Sequence, residues 1–166
     1  LEADDSISEI LKSFTISFGV TALNELCRLH NGSSIKDDNK IAVKTMQFIT
    51  NYIDRIKEED NILYAIYGTP AESLAGLQVR QFRDMYGEIK GVSDKEYVSN
   101  SFHIHVSESV TPYEKQNAEE ELFKYFTGGH IQYGKFGNPS NKKALKSFIL
   151  RGLEKDMYIG VNFGKC

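Results

Sequence analysis

The stretch NILYAIYGTPAESLAG, residues 61–76, decides the fold class of this chain. Its first seven residues are mostly apolar, with isoleucine, leucine and tyrosine after Asn61, which predicts a buried strand that ends at Gly68. A helix is predicted to start at once and to run to about residue 85, with Thr69 as its N-cap and Pro70 in its first turn. A buried strand that passes through a tight turn into a helix is typical of α/β proteins.

The rest of the chain alternates between helical and extended patterns. Helices are predicted over residues 6–14, 21–30, 37–59, 111–126 and 141–155, and strands over residues 15–20, 102–107, 130–136 and 157–163. Strands separated by long helices predict parallel strands with crossover helices, so the predicted fold class is α/β. Periodicity alone fits these strands equally to an open sheet and to an arc of a larger barrel.

Composition and charge exclude several classes of protein. The 166 residues are 40% hydrophobic and 26% charged, with a net charge of −3, which argues against a nucleic-acid or acidic-membrane binder. No apolar run reaches the roughly 20 residues of a membrane span. Two cysteines, Cys27 and Cys166, are too few for a secreted disulfide scaffold, so we expect a cytoplasmic protein. The chain opens without methionine and stops directly after an apolar run, so we expect a segment of a longer protein.

The turn after Gly68 has two interpretations. In the structural one, Thr69 and Glu72 form a capping box, in which each side chain accepts the other residue's amide proton. In the functional one, the first amides of the helix and the positive end of its dipole bind an anion, and the small side chains of Ala71 and Ser73 let a phosphate approach. The same T-P-x-E pattern recurs at residues 111–114, and we expect one of the two copies to be structural only.

Five stretches, in this order, carry a resemblance to a known family: YGTPAESLAG at 67–76, QFRDMYG at 81–87, YVSNSFH at 97–103, GGHIQY at 128–133 and YIGVNF at 158–163. They resemble segments of the anaerobic, oxygen-sensitive ribonucleoside-triphosphate reductases, the class III glycyl-radical enzymes. Order and approximate spacing agree over most of the chain, from about residue 14 to residue 166.

The resemblance implies a fold and a reaction. The fold is the ten-stranded α/β barrel of glycyl-radical enzymes and ribonucleotide reductases, and residues 1–166 would supply its later strands and helices as one fragment. The family's N-terminal nucleotide-sensing domain and C-terminal zinc and glycyl-radical module would be absent. In the reaction, a glycyl radical generates a cysteine thiyl radical that abstracts the ribose 3′-hydrogen, and the 2′-hydroxyl leaves as water. Formate, a usual reductant in this family, is the reductant that the resemblance implies.

The resemblance also implies site residues and partners. The substrate of the parent enzyme would be a ribonucleoside triphosphate, its activator a radical-SAM protein and its assembly a homodimer, with no membrane or nucleic-acid partner. We expect no catalytic residue in this chain, because the thiyl cysteine lies upstream in the family and Cys27 does not match it, so the chain alone should be inactive. The implied site residues are Thr69, Ala71, Glu72, Ser73 and Leu74 for the substrate phosphates, Asn100 and Ser101 in the loop at the barrel mouth, and Cys166 as the first ligand of an incomplete zinc site.

Other polar residues favour structural roles. His103 and His105 would lie on one face of the strand predicted at 102–107, without a third metal ligand at a suitable spacing. The run Glu119–Glu121 is typical of a solvated helix face, and Arg80 and Arg83 of surface salt bridges. Two alternatives to the reductase stay open: a non-catalytic α/β regulatory or interaction module, and a part of another glycyl-radical enzyme.

Overall fold

The computed structural model describes residues 7, 10, 12–134, 141–155 and 157. Its elements, in chain order, are strand β1 (Thr15–Val20), helix α1 (Leu23–Asn31), helix α2 (Lys40–Asp60), strand β2 (Leu63–Gly68), helix α3 (Glu72–Tyr86), helix α4 (Pro112–Glu119), a 3-10 helix (Glu120–Tyr125) and helix α5 (Lys142–Glu154). Among these residues no helix has the length and apolar character that crossing a membrane requires.

The two strands form a parallel pair. Thr15 lies opposite Leu63, and Val20 lies opposite Gly68. Helices α1 and α2 connect the two strands, as the alternation of strands and helices predicted. On the other side of β2, the amide of Gly68 donates to the carbonyl of Gly129 (2.9 Å), which adds a short parallel bridge. The α/β class is therefore confirmed.

Two of the predicted strands are corrected. Residues 102–107 are not a strand but an irregular loop, because their polar groups bond to distant side chains instead of a neighbouring strand. Residues 130–134 also form no strand after the bridge at Gly129. Residues 135–136 of that prediction, and nearly all of the strand predicted at 157–163, lie outside the described residues. The described part therefore has two strands where the sequence predicted four or five in the whole chain.

The core lies between α2, β2 and the 3-10 helix. Along α2, Ala42, Met46 and Ile53 are buried, as their helical spacing predicted. They belong to one cluster with Ile66, Phe102, Leu122, Phe123 and Phe126. Complete burial of such a side chain contributes about 1.5–3 kcal/mol, so this cluster is the main source of stability around β2.

The helix ends follow local sequence signals. Helix α1 stops at Gly32, which has a φ of 75° and donates its amide to the carbonyl of Arg28. Helix α4 starts with a complete capping box between Thr111 and Glu114. The helix predicted over 111–126 changes to the 3-10 form at Glu120. The short helix predicted over 6–14 lies mostly outside the described residues.

Candidate functional site

The turn between β2 and α3 has no capping box. Helix α3 begins at Glu72 with Ala71 as its N-cap, and no side chain caps it, so the predicted Thr69–Glu72 pair is wrong. The amide of Glu72 instead donates to the carbonyl of Pro70 (2.9 Å). Thr69 lies against β1, since a Cβ on Gly19 would be 2.2 Å from the Thr69 hydroxyl oxygen. The close approach of the two strand ends therefore takes Thr69 away from the helix start.

The first turn of α3 has backbone amides without hydrogen-bond acceptors in the described part of the chain. No acceptor among the described residues takes a hydrogen bond from the amide of Ser73 or of Leu74. Both residues are exposed, whereas Ala71 is buried. Unsatisfied amides at the positive end of a 15-residue helix favour an anion there. Glu72, in the same turn, is exposed and adds a negative charge that opposes an anion.

The loop that carries Asn100 and Ser101 is fastened to the start of α1. The amide of Ala22 donates to the carbonyl of Ser99 (2.9 Å), and the amide of Leu23 to the carbonyl of Ser101 (3.3 Å). The carboxylate of Glu25, which is only 2% exposed, accepts hydrogen bonds from the amide and the hydroxyl of Ser99. These contacts hold Ser101 at a φ of 52°, in the left-handed region that serine rarely adopts.

The same loop packs against both β2 and α3. A Cβ on Gly68 would lie 2.7 Å from the hydroxyl oxygen of Ser101, so these two residues are in direct contact. Further along, the amide of Val98 donates to the carbonyl of Ala75 (3.3 Å). The structure thus brings together the two segments that the sequence singled out, the turn after Gly68 and the loop at 100–101.

A cavity of about 460 Å³ opens beside this junction. Of the predicted site residues in the described part, Glu72 and Asn100 line it. Thr69, Ala71, Ser73, Leu74 and Ser101 surround the junction but do not line the cavity. The rest of the lining comes from the loop at 97–106, the start of α4 and residues 133–134, and it includes Tyr97, Lys115 and Tyr133.

One wall of the cavity holds a trio of interacting side chains, the buried His103 and Glu119 and the half-buried Lys115. The Lys115 ammonium nitrogen lies 2.5 and 2.7 Å from the two carboxylate oxygens of Glu119. The Nδ1 atom of His103 lies 3.2 Å from Glu119 Oε2, and the amide of Ile104 donates to Glu119 Oε1 (3.0 Å). Glu119 is fully buried, so its assignment to a solvated helix face is wrong. The one local signal for it is the i,i+4 spacing of Lys115 and Glu119.

Charge balance keeps Glu119 ionised. Burial alone would raise the pKa of this carboxyl group, but Lys115 and His103 outweigh it and hold the pKa below its usual value. Removal of Lys115 would leave the buried carboxylate of Glu119 without its nearest counter-charge, which is among the most destabilising changes in a protein. The trio is therefore a rigid support for the cavity wall.

Two other histidines, His105 and His130, serve as hydrogen-bonding residues inside the fold. His105 contacts the hydroxyl of Ser107 at Nδ1 (2.7 Å) and the carbonyl of Tyr97 at Nε2 (3.0 Å). His130 contacts the carbonyl of Met157 at Nε2 (2.7 Å). Burial lowers the pKa of both imidazoles. Within the described ranges no three histidine, cysteine, aspartate or glutamate side chains are grouped as metal ligands. His103 and His105 lie in an irregular loop and not on the predicted strand.

The cysteines and the arginines add no reactive group to the described part. Cys27 lies inside α1 with no exposed surface, and burial raises the pKa of its thiol, which disfavours the thiolate. Cys166 lies outside the described residues. Arg83 donates to the backbone carbonyl of Lys95 instead of forming the predicted salt bridge. The described part of the site therefore presents the first amides of α3, Asn100 and the cavity walls, without a reactive thiol.

The parallel strand pair and its crossover helices define an α/β protein. The family model of anaerobic ribonucleoside-triphosphate reductase matches residues 1–164, so the chain belongs to that family. The chain is 32% identical to the anaerobic ribonucleoside-triphosphate reductase of Escherichia coli K12, over 98% of this chain and 24% of the relative. It is 30% identical to the enzyme of the same name from Enterobacteria phage T4, over 100% of this chain and 27% of the relative. The chain thus spans about a quarter of the length of the curated relatives it matches.

Proposed function

We propose that this chain is part of the catalytic subunit of an anaerobic ribonucleotide reductase, which converts ribonucleoside triphosphates to deoxyribonucleoside triphosphates by radical chemistry. The observation that carries the proposal is the family match over residues 1–164. Within that enzyme the chain forms later strands and helices of a ten-stranded barrel, and the parallel pair β1–β2 is consistent with one arc of it. The sensing domain and the radical-bearing module belong to other parts of the parent protein.

The chain's contribution is a binding turn for the substrate phosphates. The proposed contacts are Thr69, Ala71, Glu72, Ser73 and Leu74, with Asn100 and Ser101 in the adjoining loop. The free amides of Ser73 and Leu74 at the start of α3 support an anion there. The packing of Ser101 on Gly68 supports a shared site, because it fixes the loop beside the turn.

The radical and the metal come from outside the described part. The glycyl radical supplies the hydrogen-abstraction chemistry after a radical-SAM protein has generated it, and the parent acts as a homodimer. Cys166 is proposed as one zinc ligand. Its partner ligands would have to come from elsewhere, because no three potential ligands are grouped within the described residues. The residues of this chain therefore bind and orient the substrate.

Turnover by the complete protein tests the activity. The full reading frame that contains this segment is expressed without oxygen, activated by its radical-SAM partner, and supplied with formate or a dithiol and each ribonucleoside triphosphate. Formation of the matching deoxyribonucleoside triphosphate is the expected result. An activated protein that carries the glycyl radical and yet reduces none of the four ribonucleotides would refute the proposal.

A charge change tests the phosphate turn. Ser73→Asp in the complete protein should raise KM about tenfold or more, because repulsion between a carboxylate and a phosphate at contact exceeds the roughly 1.4 kcal/mol that equals one decade in affinity. An aspartate in the first turn stabilises a helix, so weaker binding cannot be ascribed to loss of α3. Gln81→Asp, exposed on the same helix but more than two turns away, is the matched control. Equal KM values for the two variants would show that the substrate phosphates do not bind at this turn.

A further inference from the structure

His103 has one nitrogen committed to a backbone carbonyl. Its Nε2 atom lies 2.7 Å from the carbonyl oxygen of Ile131. A carbonyl oxygen only accepts hydrogen bonds, so Nε2 carries a proton and donates it. The side chain is 6% exposed, which leaves little access for water to replace this bond.

The other nitrogen, Nδ1, faces Lys115 and Glu119. Nδ1 of His103 lies 3.1 Å from the ammonium nitrogen of Lys115 and 3.2 Å from Glu119 Oε2. Lys115 is held in turn by both carboxylate oxygens of Glu119. The contacts with Lys115 and Glu119 therefore fix the orientation of the imidazole ring that places Nε2 against the carbonyl of Ile131.

The hydrogen bond to Ile131 lies close in sequence to Tyr133, a residue of the cavity wall. Tyr133 follows two residues later, and its ring meets the His103 ring edge-on, with centroids 5.4 Å apart and an angle of 84° between the planes. Tyr133 lines the cavity together with Glu72, the first residue of α3. Burial, followed by the negative charge of Glu72, raises the pKa of the Tyr133 hydroxyl. Tyr133 therefore lies on the side of the cavity that borders the start of α3.

We propose that His103 is a positioning residue for substrate binding, which holds Tyr133 beside the start of α3 through the carbonyl of Ile131 and through ring contact. This inference rests on the proposed function, because it takes the start of α3 as the site of the triphosphate. His103 touches no reacting group, so it acts on substrate affinity and leaves the chemical step alone. Tyr133 is the residue through which it acts.

Two substitutions of His103, each by an amide side chain, test the roles of the two imidazole nitrogens separately. His103→Gln keeps a donor near the position of Nε2, toward Ile131, and His103→Asn keeps polar atoms near the position of Nδ1, toward the trio. In the complete, activated reductase, His103→Asn should raise KM for the ribonucleoside triphosphate by about 3- to 10-fold, the effect expected of one lost hydrogen bond, with kcat within about twofold of the wild type. His103→Gln should keep KM within about twofold of the wild type.

A double substitution tests the route through Tyr133. In a Tyr133→Ala background, His103→Asn should change KM by less than about twofold, because its target is already gone. An equal effect in both backgrounds, a fall in kcat at constant KM, or a Gln variant as damaging as the Asn variant would each overturn the inference. If His103→Asn does not fold, Tyr133→Ala alone decides: a raised KM supports the inference and an unchanged KM overturns it. A wild type that reduces no ribonucleotide removes the proposed function itself, whereas an active wild type with insensitive variants overturns only this inference.

Discussion

Gly68, the last residue of β2, lies against Ser101 so closely that a Cβ on the glycine would be 2.7 Å from the serine hydroxyl oxygen and 2.8 Å from the Cβ of His130. Real Cβ atoms do not approach other atoms this closely. The contact joins the end of a strand to a loop more than thirty residues further along the chain, and it sets the distance between the turn at Thr69 and the loop at Asn100.

Gly68→Ala should therefore lower the free energy of unfolding by about 1–3 kcal/mol, the usual cost of overpacking a filled interior. Urea denaturation followed by circular dichroism measures the change. Gly76→Ala is the matched control, because its added Cβ would meet nothing closer than 3.6 Å and it lies inside helix α3. Replacement of a helical glycine by alanine stabilises by roughly 0.5–1 kcal/mol, so the two variants should move in opposite directions. A Gly68 variant as stable as the wild type would contradict the close contact.

The two T-P-x-E sequences should respond differently to loss of the threonine. Thr111→Ala removes a side chain that accepts the Glu114 amide (3.2 Å), and it should lower the free energy of unfolding by about 1 kcal/mol. Thr69→Ala removes no cap from α3 and should cost less than Thr111→Ala in the same denaturation experiment. Equal losses at both sites would mean that Thr69 caps the helix after all.

Loss of the cation at position 115 should destabilise the chain strongly. Lys115→Met leaves the carboxylate of Glu119 buried without its nearest counter-charge, and such a change costs about 3–5 kcal/mol. Glu121→Gln, on an exposed neighbouring side chain, should stay within about 0.5 kcal/mol of the wild type and controls for the change of charge in this part of the chain. A Lys115 variant that unfolds at the wild-type urea concentration would show that Glu119 is neutral or hydrated.

Acid should destabilise the fold in two steps. The pKa values of His105 and His130 are lowered by burial from 6.5, so the unfolded chain takes up protons first as the pH falls below about 6.5. Stability present above that pH should decline toward the folded pKa values, and urea midpoints at about pH 7 and about pH 5.5 should show it. A second loss should begin below about pH 4.5, because the pKa of Glu119 is also lowered, by Lys115 and His103 against the opposing effect of burial.

Substitution of both histidines tests the first step of this pH dependence. A variant with His105→Gln and His130→Gln should lose less stability than the wild type between about pH 7 and about pH 5.5. The loss below about pH 4.5 should remain, because Glu119 and its partners are unchanged. A wild type that gains stability on acidification, or a variant with the full wild-type slope, would disprove this assignment.

The elements that the sequence predicted well are those whose signals are local. The apolar spacing along α2 and the Asn31-Gly32 stop of α1 each act within a few residues, and both are present in the structure. The alternation at 102–107 is equally local but misleading. There the backbone is held by Glu119, whose carboxylate accepts the amide of Ile104 from fifteen residues away. Residue periodicity within one segment does not predict a contact between residues fifteen positions apart.

The candidate site was predictable only in part, for the same reason. Family resemblance pointed to the turn at Thr69 and to Asn100, and the structure places Glu72 and Asn100 on one cavity. The absent capping box could not be foreseen, because Thr69 is displaced by the approach of Gly19 on the neighbouring strand. The trio was missed because Glu119 stands in a run of three glutamates, of which it is the fully buried one.

Because His103, Lys115 and Glu119 are bonded to one another, they also limit how this sequence can change during evolution. A single replacement at any of these positions leaves a buried charge or donor without its partner, and only a simultaneous replacement by apolar residues restores balance. Sequences intermediate between the charged and the apolar versions therefore encode strongly destabilised proteins. We expect strong epistasis among the three codons, so that lineages keep the trio whole or lose it whole.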